Sequence, residues 1–175
     1  MRRVRLVALA GVLVPAVFAV SAFRARTPAP VVRHEVIAVY LGTIGTDARS
    51  GAFNLVYDMK LSLKSQTAKS GREFISRGVS LEGSVAEGLR HLAMFGDFDE
   101  ESVGGNWTNS SVVRYLGANI DATRAHAIPQ LILYERDVTN SDSKSMVVSP
   151  EREIGRFIGL KEIADWVHNG SPLPH

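Results

Sequence analysis

The sequence predicts an α/β domain built on a four-stranded mixed sheet with helices on its faces. Two patterns carry that expectation. Residues 35–93 alternate strand-like apolar runs with helical periodicity, and residues 130–168 place two strand patterns close together ahead of a last helix. Composition agrees: of 175 residues, 45% are apolar and 22% charged, enough to build a core.

Before the domain comes an address. Arg2, Arg3 and Arg5 precede an apolar run broken only by Gly11 and Pro15, and Val20-Ser21-Ala22 offers the small residues a signal peptidase accepts. Residues 1–22 therefore read as a signal peptide or as an N-terminal membrane anchor, since residues 4–23 are long and apolar enough to span a bilayer. Either way the domain is expected outside the cytoplasm, periplasmic, secreted or tethered through residues 4–23. Removing three arginines leaves 17 basic against 18 acidic residues, so the net charge of +2 becomes about −1. No cluster of basic residues with interleaved aromatics remains, which argues against nucleic acid as a partner.

Residues 23–34, with Pro28 and Pro30, read as a linker, residues 35–169 as the domain and residues 170–175 as a tail. The run Val36-Ile-Ala-Val-Tyr-Leu41 predicts a strand buried on both faces. Residues 42–50, rich in Gly, Thr, Asp and Ser, predict a loop. Phe53, Val56, Met59 and Leu63 recur at helical steps and predict a helix over 51–68. A second strand is expected over 72–81, then a second helix through Val85, Leu89 and Leu92 with Ser84 as its N-cap. The acidic stretch 95–101 reads as a turn, 104–109 as a glycine-rich loop, and 110–116 as a short helix. Gln130 to Tyr134 predicts the third strand, residues 139–150 a loop or hairpin tip, 153–160 the returning strand, and 161–168 an amphipathic helix with Ile163 and Trp166 inward.

Val36-Ile-Ala-Val-Tyr-Leu-Gly42 leading into a loop, and Ile128-Pro129 ahead of Gln130-Leu-Ile-Leu-Tyr134, resemble the thioredoxin-like superfamily. The resemblance covers residues 35–168. It implies a proline facing the loop that follows the first strand, and a surface that holds an extended peptide. That family places Cys-x-x-Cys at the start of the first helix, where this chain has Gly45 and Ala48; with no cysteine in the chain, dithiol exchange is excluded. The resemblance therefore implies a redox-inactive binding or scaffold module whose face comprises Thr43, Gly45, Thr46, Asp47, Ile128 and Pro129, with Trp107 added as a tryptophan displayed in a loop. Trp107 reads equally as a plug at the end of the core.

Catalytic alternatives are thinner. No Gly-x-Ser-x-Gly occurs, no histidines stand four apart on a helix, and the acidic run lacks calcium-loop spacing. No catalytic residue, metal ligand or cofactor is assigned. Two alternatives stay open: a cofactor-free hydrolase or transferase using Ser, His and Asp on the loop face, which requires His91 or His126 within reach of a hydroxyl, and a membrane-tethered assembly factor.

Overall fold

A computed structural model describes residues 30–48, 51–117, 127–142 and 145–174. The first strand, β1 (Val31–Gly42), leads through a short helix α1 (Ile44–Asp47) into the long helix α2 (Ala52–Lys69). β2 (Glu73–Ser80), α3 (Val85–Ala93) and β3 (Glu100–Ser102) follow, then α4 (Ser110–Gly117). A long β4 (Gln130–Asp142) turns into β5 (Ser145–Val148), and β6 (Arg152–Ile158) with α5 (Gly159–His168) completes the order. The strands form a six-stranded mixed sheet in the order β3-β2-β1-β4-β5, with β6 also paired to β4. β2 runs parallel to β1 and β3 to β2; β4 is antiparallel to β1, and both β5 and β6 are antiparallel to β4.

The alternation of β1 divides the core. Ala38 and Tyr40 face α2 and α5, packing with Val56, Met59, Leu63, Phe95, Leu131, Leu133 and Ile163. Ile37, Val39 and Leu41 face α4, packing with Val79, Val112, Tyr115, Leu116 and Ile132. The buried stripe of α2 is Ala52, Val56, Met59, Leu63 and Thr67, at three- and four-residue steps. Ser84 caps α3 by accepting from the Glu87 N–H, as its sequence position predicts, and its hydroxyl donates in turn to the Glu87 carboxylate at 2.8 Å.

The four-stranded expectation falls short by two strands, for physical reasons. β3 is the sequence Glu-Glu-Ser, with no apolar pattern to announce it. It is docked by Asp99, whose carboxylate accepts from the N–H and hydroxyl of Ser76, both at 2.7 Å. The serine-rich stretch expected as a loop or hairpin tip is a hairpin, and much of it is strand, paired between β4 and β5. β1 begins at Val31, so residues 31–34 are strand rather than linker; they pair with residues 137–140 of β4. α5 starts at Gly159, two residues before the expected helix.

Beyond α4 the same sheet face is covered by charge. Glu151 lies between Arg77 and Arg136, at 3.3 Å from each, and 2.9 Å from Arg114. Arg77 also meets Glu100 and the Tyr115 hydroxyl, and Arg136 bonds Glu35 at 2.7 Å. Glu35 and Arg77 are buried, and each charge has an opposite neighbour, as burial requires. Among the described residues, no helix is long and apolar enough to cross a membrane.

Candidate functional site

The site lies at one end of the sheet, where the parallel strands finish. Leu41 pairs with Gln130 at the last rung between β1 and β4, so Gly42–Thr43 and Ile128–Pro129 leave the sheet side by side. The Ile128–Pro129 peptide is cis. On the other flank, Leu81 N–H donates to the Gly42 carbonyl at 3.0 Å, and Ile44 N–H donates to the Glu82 carboxylate at 2.8 Å. The Gly105 and Asn106 N–H groups donate to the carbonyls of Gly83 and Glu82, which ties the Trp107 turn to the same end.

These contacts bring the expected face together but sort it into exposed and buried halves. Gly45 and Thr46 are exposed, Thr43 half-buried, and the Thr43 and Thr46 hydroxyls lie 3.3 Å apart. Ile44, which the sequence reading passed over, is 42% exposed between them. Ile128 is half-buried, resting on the α4 side of the core. Asp47 and Pro129 are buried, so neither side chain belongs to a surface. The Pro129 carbonyl is already used, accepting from Gly159 N–H at 2.8 Å. Trp107 is 43% exposed and does not plug the core. It borders an apolar groove of about 280 Å³ with Val112, Val113, Leu116 and Gly117. His126 lies outside the described residues.

Beneath the loop is a polar cluster that no sequence motif announced. His91, on the buried stripe of α3 with Gly88 and Leu92, has Nε2 2.7 Å from Asp47 Oδ2 and Nδ1 3.0 Å from Ser80 Oγ. Asp47, Ser80, His91 and Tyr40 all have 0% exposure. With the Ser80 hydroxyl donating to Nδ1, Nε2–H is left to donate to Asp47, the tautomer a buried carboxylate favours. Ser80 Oγ also accepts from Glu82 N–H at 3.3 Å. The Tyr40 hydroxyl sits beside the same carboxylate; burial first, then the Asp47 charge, pushes its pKa far up. The Phe95 ring packs against both, with centroids 4.7 Å from Tyr40 and 5.3 Å from His91.

Gly42 makes room for this cluster. A Cβ there would stand 2.2 Å from Asp47 Oδ2 and 2.9 Å from the Tyr40 hydroxyl. The signal for the cluster was present in the sequence as His91 falling at i+3 from Gly88 on an amphipathic helix. Its partners Asp47 and Ser80 are separated from it by 44 and 11 residues, and only the fold unites them.

Among the described residues, no group of histidines and carboxylates is arranged to hold a metal ion. No family model, curated protein or solved structure matches the chain.

Proposed function

We propose that this is an exported, thioredoxin-like binding module without dithiol chemistry, which holds an extended segment of a partner protein at the 43–46 end of its sheet. The thioredoxin-like part of the reading is supported by the order β2-β1-β4-β6 with one parallel and two antiparallel pairings, framed by α2, α3 and α5. The observation that carries the binding reading is the division of the loop. Ile44, Gly45 and Thr46 face solvent, while the polar side chains beneath them are turned inward and bonded to one another. The loop is thereby fixed from below and presented from above, which limits the ordering cost of binding. Ile128 stands next to it, and the apolar groove beside Trp107 offers a pocket for a side chain of the partner.

A blocking substitution tests this. At Gly45 an added Cβ meets only the Thr43 hydroxyl, at 3.7 Å, so Gly45→Arg is accommodated by the fold while its side chain obstructs the face. On an array of extended peptides, the wild-type chain should capture a subset and Gly45→Arg should lose it. Equal capture by both chains overturns the reading.

One observation favours a second reading: Ser80, His91 and Asp47 form a chain of serine, histidine and acid at hydrogen-bond distances, with the serine on Nδ1 and the acid on Nε2, the reverse of the usual nucleophile–base–acid triad. Against it, the hydroxyl has no exposure, so no substrate reaches it in this conformation. A fluorophosphonate probe decides between them, since labelling at Ser80 would establish an opening, catalytic site. The binding reading predicts no label.

A further inference from the structure

Exposed apolar side chains gather at the opposite end of the sheet. Val31, Val32, Met146, Val147 and Val148 are exposed by 62, 46, 63, 60 and 43%. The register joins them: Val31 lies opposite Asn140 and Asn140 opposite Met146, while Val32 lies opposite Thr139 and Thr139 opposite Val147. Alternation then sends Val31, Met146 and Val148 to one face of this three-stranded tip, and Val32 and Val147 to the other. The helices that cover the sheet pack farther along, over residues 37–41 and 131–134. β5 also has an open backbone edge. The other outer strands are guarded by charge, β3 by Glu100 and Glu101 and β6 by Arg152, Glu153 and Arg156.

Both faces of the tip thus carry exposed apolar side chains, set among Arg33 and Asn140 on one face and His34 and Asp137 on the other; a protein partner or a second copy stacked on one side would leave the apolar groups of the other side in water. A fluid interfacial layer covers both. The chain enters β1 at this tip, and the apolar residues 4–23 lie upstream, joined by residues 24–30, which reach about 25 Å at full extension. We propose that the tip rests in the headgroup–acyl boundary of the bilayer that residues 4–23 enter, with the partner-binding loop held at the far end of β1, about 40 Å away along the strand. This rests on the anchored form of the export reading. The open edge of β5 sets the depth, because unpaired backbone groups require water; immersion stops at roughly 5–10 Å.

The absence of cysteine makes the test clean. Single-cysteine variants Val31→Cys, Val147→Cys and Thr46→Cys of the full chain carry an environment-sensitive fluorophore and are reconstituted in phosphatidylcholine–phosphatidylglycerol vesicles. Labels at 31 and 147 should shift to the blue and lose most of their emission to lipid-borne quenchers, while the label at 46 does neither. Solvent-like emission at 31 and 147 in chains that resist carbonate extraction overturns the tip contact and leaves the anchor standing. Release by carbonate overturns the anchor and the tip contact with it. A blue shift that grows with protein concentration without lipid quenching assigns the tip to a second copy and overturns the proposal.

Discussion

Asp47 Oδ2 and His91 Nε2 stand 2.7 Å apart, and neither side chain has any contact with solvent. The pair ties the short helix after β1 to α3 and lies directly under the loop that forms the candidate face. Its geometry is that of a lock: Ser80 holds one side of the imidazole and Asp47 the other.

Removing the central member should cost more than removing an end. His91→Leu leaves the Asp47 carboxylate buried without its main partner, a loss of about 3–5 kcal/mol, which lowers the melting temperature by roughly 10 °C or more. Ser80→Ala should cost nearer to 1 kcal/mol. Thermal denaturation followed by circular dichroism gives both values, and an unchanged melting temperature for His91→Leu would refute the lock.

Two glycines in neighbouring positions should behave oppositely. Gly42→Ala forces a methyl group against Asp47 and Tyr40, displacing the cluster and destabilising the fold by roughly 1–3 kcal/mol. Gly45→Ala meets only ordinary contact and should change stability by less than about 0.5 kcal/mol. Chemical denaturation curves of the pair would show a clear separation of midpoints; coincident curves would contradict the packing around Gly42.

Trp107→Ala should leave the melting temperature within a degree or two of the parent, because the side chain is 43% exposed and belongs to neither core cluster. Trp166 is only 8% exposed, stacks on Phe157 at 4.5 Å and donates its indole N–H to the Pro172 carbonyl, so Trp166→Ala should cost about 3–5 kcal/mol. The fluorescence of Trp107→Ala should lie to the blue of the parent. A large loss of stability at Trp107 would restore the plug reading.

Alkali should unfold the protein through its buried tyrosines. Burial, followed by the Glu153 carboxylate, pushes Tyr134 up to about 12, and burial pushes Tyr40 and Tyr115 up as well. In the unfolded chain a tyrosine ionises near 10. The folded state therefore holds these protons more tightly, and its advantage is complete below pH 10 and declines from there through about pH 12. Denaturation midpoints measured from pH 9 to 12 should fall over that window, and flat midpoints would contradict the buried environment of Tyr134.

The strands that were legible in the sequence are those whose side chains are dictated by burial. Val36 to Leu41 and Leu131 to Tyr134 are apolar because both faces of the central sheet are covered. The helix caps and periodicities were legible for the same local reason, as at Ser84 and along α2. β3 was not, because its residues are chosen by ion pairs such as Glu100 with Arg77 rather than by apolar contact. β5 was hidden in a serine-rich segment whose pairing depends on the extension of β4. At the site, glycine and threonine marked the exposed turn at 43–46, but Gly42 closes β1 and Ile44–Asp47 form the short helix α1 where residues 42–50 read as a loop. Asp47 looked like another surface residue, since nothing in its neighbours reveals that His91 waits beneath it. Pro129 was located correctly at the start of the third core strand, but its burial follows from packing at the sheet end, which local sequence does not encode.

The most direct test of the central claim is an amide chemical-shift map of the chain titrated with peptides that it captures on the array. Shifts should be confined to Thr43, Ile44, Gly45, Thr46, Ile128 and the Trp107 turn, with the amides of the β1–β5 tip unmoved. Shifts that leave residues 43–46 untouched while others move would place the binding surface elsewhere and contradict it.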